Sequence, residues 1–303
     1  MIKKMKKAFS MVELIFVIVV LGIVASISAD TIAQIFKNTI PQKATNIAAI
    51  KSEIAAEQIA NRLGYAVPWS VVAKNSAGAD PIKLVDLPAG DTTHTIVEWI
   101  GVDGDSFEAT QTPGWSGYCD VARSTRTNCS TPGSALGNTD TLIKNFGGVG
   151  ITDAITLFKT TNCEGTNIYG PDTIGLAGSG TQCAFSLIGT GGGASLTFAN
   201  TPKIRADMYS IAWSAYAIVP VNERDINGDG TNDVFDLALR YNYQPWQGES
   251  FANANSQILA NNVSVFRISQ MDNTIRFKIC IKQPIGGGGT DFISSCKEKA
   301  VIR

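Results

Sequence analysis

Four carboxylates crowd into one short stretch, Asp225-Ile226-Asn227-Gly228-Asp229-Gly230-Thr231-Asn232-Asp233-Val234-Phe235-Asp236. Side-chain oxygens fall at its first, third, fifth, ninth and twelfth positions, and Gly230 sits sixth, where a calcium loop needs a sharp turn. The candidate ligands are the side chains of Asp225, Asn227, Asp229, Asp233 and Asp236 and the backbone carbonyl of Thr231. Carboxylates at this density repel one another unless a cation is present. A flexible cage of ~6–8 oxygens suits calcium better than magnesium. The competing reading is a solvated, metal-free Asn-Gly/Asp-Gly turn. No set of catalytic residues stands beside this loop. The one histidine, His94, lies in a polar Asp-Thr-Thr-His run, and no Ser-His-Asp arrangement can be argued from it. Gly147-Gly148 and Gly191-Gly192-Gly193 lack the strand–loop–helix spacing of a phosphate cradle and read as turns.

The elements that must carry such a loop begin at the other end of the chain. Lys3, Lys4, Lys6 and Lys7 precede Ala8-Phe9-Ser10-Met11-Val12-Glu13-Leu14, and an apolar run then continues through Ala29. A secretory signal has positive charge, an uninterrupted apolar core and a small-residue cleavage site, and Ser28-Ala29 would serve as that site. Glu13 does not fit such a signal. A carboxylate at the edge of an apolar span costs a few kcal/mol on insertion scales and has a functional reason by default.

The lysine cluster, Ala8, Phe9 and Glu13 together resemble the class III signal of type IV prepilins and pseudopilins. That resemblance implies cleavage by a prepilin peptidase between Ala8 and Phe9, N-methylation of Phe9, and Glu13 as the fifth residue of the mature chain. The family most often has Gly before the cut; here it is Ala8, which the family tolerates. In a filament core with little water, Glu13 of one subunit would neutralise the free ammonium of Phe9 in its neighbour, because a buried charge is tolerable only when paired.

Composition agrees with export. Without the four lysines of residues 1–8 the chain carries 21 basic and 26 acidic residues, a net charge of -5, and no basic patch after Lys7 argues for nucleic acid. Charged residues are only 17% of the chain, with abundant Gly, Ser, Thr and Asn, as in exported β-rich proteins. The cysteine count is even, Cys119, Cys129, Cys163, Cys183, Cys280 and Cys296, and no CxxC pair is present. After an export signal this argues for disulfides in an oxidising compartment rather than zinc or redox chemistry. Of the possible pairings the sequential one, Cys119–Cys129, Cys163–Cys183 and Cys280–Cys296, closes three Gly/Ser/Thr-rich loops. The alternative is that some are buried thiols.

The pattern predicts an α+β protein of pilin-like architecture, with a long N-terminal helix packed on a C-terminal antiparallel sheet and large loop-rich insertions. Its expected divisions are a leader at 1–8, a transmembrane and filament-core helix at 9–36, an amphipathic continuation at 37–63, and a β-rich globular domain at 64–303 that carries the loop 225–236. Pro41 should kink or interrupt the helix. Beyond it, Ile47, Ile50 and Ile54 form one stripe with Ala48, Ala55 and Ile59 beside it, opposite Asn46, Glu53 and Glu57, as on a helix laid against a sheet. Gly64 reads as the C-cap. Residues 65–205 offer short strands at Thr95–Trp99, Ile155–Lys159, Cys183–Ile188 and Ala194–Phe198. The C-terminal third offers Met208–Val219 as one long strand, then Val263–Ile268, Ile275–Ile281 and Phe292–Ile302. Phe235 to Tyr243 alternates with period two, so the acidic loop should tip a β-hairpin rather than precede a helix. The loop residues resemble those of dockerin calcium repeats. With one copy and no exit helix, cohesin binding is not implied. The run Leu259-Ala260-Asn261-Asn262-Val263 and the strands after it look like the C-terminal end of PilW-type and J-type minor pilin-like proteins.

These resemblances imply a non-enzymatic minor pilin or minor pseudopilin, a structural subunit in assembly, at the tip or in initiation, of a type IV pilus or type II secretion pseudopilus. Its partners would be the prepilin peptidase, other pilins or pseudopilins and inner-membrane lipid. It would cross the bacterial inner membrane once, with its globular domain in the periplasm, before entering a filament. The alternatives are a pilin-anchored adhesin or ligand-binding module that uses the loops of residues 100–200, and a secreted enzyme. Trp213 reads as core, whereas Trp115 and Trp246 lie in loops where a sugar contact stays open.

Overall fold

The structure is a computed structural model, and it describes residues 10–108, 112–158, 184–191, 193–199, 206–286 and 291–302. One helix, α1 (Met11–Gly64), begins the described chain. Ser10 caps it, its hydroxyl accepting from the Glu13 amide at 3.2 Å and so satisfying one of the free N–H groups of the first turn. The helix runs unbroken through Pro41, so the expected interruption does not occur. A mid-helix proline costs about 3 kcal/mol. Against that cost stands the burial of Ala44, Ala48, Ser52, Ala55, Ala56, Ile59 and Leu63 in the turns that follow. The C-cap is Tyr65, one residue past the predicted Gly64; its N–H reaches the Arg62 carbonyl at 3.3 Å.

The buried stripe is the predicted one only in part: Ala48, Ala55 and Ile59 are buried and Ile47 half-buried, but the other two isoleucines are not. Ile50 and Ile54 point outward, 60% and 52% exposed, and the sheet receives alanines instead. Small side chains let the helix axis approach closely. The bulk in that interface comes from the strands, with Trp99, Ile275, Phe277, Ile279 and Ile281 packed against Ala55, Ala56, Ile59 and Leu63.

Among the described residues fourteen strands follow. They are β1 (Val72–Lys74), β2 (Ile82–Lys83), β3 (Ile96–Gly101), β4 (Asp120–Thr125), β5 (Asn128–Ser130), β6 (Ile155–Phe158), β7 (Ala184–Thr190), β8 (Ser195–Phe198), β9 (Tyr209–Ala212), β10 (Ser214–Arg224), β11 (Val234–Tyr241), β12 (Asn255–Met271), β13 (Thr274–Pro284) and β14 (Phe292–Ile302). Two short helices, α2 (Gly104–Glu108) and α3 (Leu136–Asn145), lie among them. The first sheet is antiparallel, ordered β14-β13-β12-β11-β10-β3-β1-β2, with α1 across its β12–β14 end. On β13 the predicted alternation holds: Ile275, Phe277, Ile279 and Ile281 face the helix, and Arg276 and Lys278 face away. The opposite face of this sheet buries an ion pair, Lys74 with Glu98, and Tyr243 donates its hydroxyl to Glu98 Oε1 at 2.7 Å.

The second sheet, ordered β4-β5-β8-β7-β6-β9, has its own aromatic core of Trp115, Phe158, Phe185, Phe198 and Tyr209, closed by Leu136 and Ile143 of α3. The predicted single strand Met208–Val219 is two strands in two sheets. β9 pairs with β6, the chain turns at Trp213, and β10 pairs with β3 of the first sheet. Apolar residues fill both faces of that stretch, so alternation gave no sign of the crossing. Trp213 is core, as expected. Trp115 and Trp246 are also buried, only 5% and 1% exposed, and their indole N–H groups donate to the carbonyls of Asp103 and Asp153 at 2.9 Å. Both are therefore removed as sugar contacts.

Candidate functional site

Two regions carry the candidate residues. In the first, every residue from Met11 to Ile40 is exposed, and none of the most apolar stretch of α1 is buried. At ~1.5 Å per residue, those thirty residues span about 45 Å, more than the ~30 Å hydrocarbon core of a bilayer. By length and composition this segment can cross a membrane. Glu13 sits in its first turn, next to the Ser10 cap. Ala8 and Phe9, the predicted cleavage pair, lie outside the described residues.

In the second region, β10 and β11 form a hairpin whose tip is the acidic loop, as predicted. Gly228 and Gly230 take φ of +79° and +88°, a left-handed backbone that favours glycine. These turns aim N–H groups inward. Asp225 accepts from the amides of Gly228 at 2.6 Å, Gly230 at 2.7 Å and Asn227 at 3.1 Å. Asp229 accepts from the Thr231 hydroxyl and amide and from the Asn227 side chain. The Gly230 and Gly228 amides hold Asp225 below the usual carboxylate range, and the Thr231 hydroxyl and amide do so for Asp229. Asp233 pairs with Lys282 at 3.1 Å.

Asp236 does not join them. It lies on β11, 4% exposed, where Arg224 grips it through two bonds of 2.7 and 2.9 Å. Asn222 Nδ2 at 3.1 Å, the Asn262 amide at 3.3 Å and the Asn261 side chain also donate to it, and Arg224 donates to Asn262 Oδ1 at 2.9 Å. Asn222 and Asn262 both adopt positive φ, and the β10–β11 and β11–β12 pairings shift register beside them. Sequence reading gave Arg224, Asn222, Asn262 and Lys282 no role at this loop. The one available signal was Arg224 itself, a cation directly before a dense acidic run.

Against a calcium ion the fit is partial. Asp225, Asn227 and Asp229 offer oxygens on one tight turn, but the twelfth-position ligand is committed to Arg224. Among the described residues no group of three or more His, Cys, Asp or Glu side chains converges as a metal site.

The disulfides Cys119–Cys129 and Cys280–Cys296 are present as paired in the sequence reading. Cys280 and Cys296 are direct cross-strand partners and tie β14, the outermost strand, to β13. The third pair, Cys163–Cys183, lies outside the described residues.

Residues 3–29 match the model of the prokaryotic N-terminal methylation motif, which marks a type IV prepilin-like protein. No curated protein and no solved structure matches the chain. The matched segment runs from the lysine cluster through Ala29 and so spans the proposed cut and Glu13.

Proposed function

We propose that this chain is a minor pilin or minor pseudopilin, a non-enzymatic subunit of a type IV pilus or type II secretion pseudopilus. The observation that carries it is the bare apolar half of α1, whose first turns lie inside the methylation motif, continuous with a half that is packed on a sheet. A peptidase would cut between Ala8 and Phe9 and methylate Phe9. The segment 9–36 then anchors the chain once in the inner membrane, with residues 64–303 in the periplasm, until it passes into a filament among other pilins. The bulk of two sheets favours a place at or near the tip, since many such heads would crowd a shaft. Mass spectrometry of the N-terminus from bacteria with and without prepilin peptidase tests the reading. N-methyl-Phe9 only when the peptidase is present is the expected result; a start near Asp30 would overturn it. Electron microscopy with labelled copies tests the tip, and label along the whole shaft would overturn that part.

We further propose that the hairpin tip takes a structural calcium ion through Asp225, Asn227, Asp229, the Thr231 carbonyl and Asp233, with Asp236 left to Arg224. The held carboxylates of Asp225 and Asp229 support their part of this set, and Asp233 would exchange its ion pair with Lys282 for the metal. Calcium at ~100 times its dissociation constant would stabilise the fold by about 2.7 kcal/mol. Melting curves with calcium and with chelator measure it, and identical curves would remove the ion from the account.

A further inference from the structure

Where α1 ends, it meets the first sheet at an open cleft of about 210 Å³. Tyr65 and Tyr216 form its walls, and Asn61, Arg62 and Asp105 surround them. Two glycines let the rings lie where they do. A Cβ on Gly101 would stand 2.5 Å from the Tyr216 ring, and one on Gly104 would stand 2.7 Å from the Tyr65 ring. Tyr216 is backed by Trp99, with ring centroids 5.9 Å apart, whereas Tyr65 is 53% exposed. The Arg62 guanidinium lies 5.4 Å from the centre of the Tyr216 ring. Among the described residues no ion pair joins Arg62 or Asp105 to any partner, although both border the same cleft.

We propose that this cleft binds a single pyranose ring of a glycan. A pyranose has an apolar C–H face and an edge of neighbouring hydroxyls. Aromatic side chains with one polar end suit the first. Asn61, Arg62 and Asp105 suit the second, because amide, guanidinium and carboxylate each present two polar atoms in one plane. One cation and one anion leave the site without net charge, which favours a neutral hydroxylated ligand over a phosphate or a polyanion. The volume falls below the ~300–1,000 Å³ of pockets that enclose drug-sized ligands, so one ring enters and the rest of a glycan stays outside. The site lies on α1, β3, β10 and the start of α2, away from the membrane-spanning half. It stands whether or not the subunit is a minor one.

The test uses the full mature chain in lauryldimethylamine oxide, a detergent without a sugar headgroup. Saturation-transfer NMR is recorded with the methyl glycosides of glucose, galactose, mannose and N-acetylglucosamine. The expected result is transfer to ring protons of at least one glycoside. Tyr65→Ala and Asp105→Ala should each weaken binding about tenfold, equivalent to ~1.4 kcal/mol, with Tyr65→Phe close to the parent. Asp105 is exposed on α2, so its variant keeps the test decisive should Tyr65→Ala melt early. No transfer from any of the four glycosides, or transfer undiminished in Asp105→Ala, overturns the proposal.

Discussion

The two halves of α1 share one unbroken helix and differ in almost everything else. From Met11 to Ile40 large apolar side chains point in every direction and none is covered. From Ala44 to Leu63 the covered positions are mostly alanines, and the large residues Ile50 and Ile54 stand outside. A helix that is apolar all round needs an apolar solvent or neighbours on all sides. A helix that lies on a sheet needs one close-fitting stripe. The first half is therefore shaped for surroundings the chain does not itself supply, and the second half for its own sheet.

The sharpest break of that contrast puts the same charge into each half. Ala56→Asp places an unpaired carboxylate under the sheet, against Trp99 and Phe277, and should cost about 4 kcal/mol, enough to remove most of the stability of a domain. Denaturant melts of the full chain in detergent would show it. Val17→Asp should leave the same melts unchanged, because Val17 is exposed on the half of α1 that is not packed on the sheet. Its cost of about 3 kcal/mol should fall on membrane insertion instead, read as loss of the chain from the membrane fraction. If Val17→Asp lowered the melting temperature, the first half of α1 would have to pack on the domain.

Bare and covered groups also alternate at the acidic hairpin. Asp229 is exposed on the loop, and Asp236, seven residues on, is buried against Arg224. The Arg224 guanidinium pulls the Asp236 carboxyl well below its ordinary range. A carboxylate with a depressed folded-state pKa adds stability above its unfolded pKa of ~3.9 and loses it as pH falls toward the folded value. Stability should thus drop by about 2 kcal/mol between pH 5 and pH 2 through this group. Asp236→Asn should flatten that part of the pH curve, and Asp229→Asn should change it far less. Equal effects from the two substitutions would mean that Asp236 is as solvated as the loop.

How much of this was legible depended on whether one face of an element stays wet. On β13 it does, so alternation placed Ile275, Phe277, Ile279 and Ile281 correctly, and the hairpin around the acidic loop followed from the same rule. From Tyr209 to Val219 the stretch is largely covered on both sides, and its passage between sheets at Trp213 left no pattern to read. The helix stripe misled for another reason. The pattern centred the stripe on Ile47, Ile50 and Ile54 with Ala48, Ala55 and Ile59 beside it, whereas close approach to a sheet already filled with Trp, Phe and Ile selects the second set. Trp115 and Trp246 read as loop residues because their cover comes from segments far along the chain. At the candidate site the ligand types of the loop were plain. The destination of Asp236 depended on two register shifts and two positive-φ asparagines, which no spacing rule encodes.

The outward isoleucines give the smallest expected effect and the finest version of the comparison. Ile50→Ser and Ile54→Asn remove apolar side chains from the exposed side of this half of α1. Surface substitutions of this kind stay within about 0.5 kcal/mol, so both variants should melt with the parent chain. The two positions are one helical turn apart and continue the apolar surface that begins below Ile40. If that surface meets other subunits along its whole length, the same substitutions will lower recovery of the chain in sheared filaments while the isolated chain stays as stable as before. If they destabilise the isolated chain by more than 1 kcal/mol, the face is covered by the chain itself. The division of α1 into a covered alanine stripe and a bare isoleucine stripe would then be wrong.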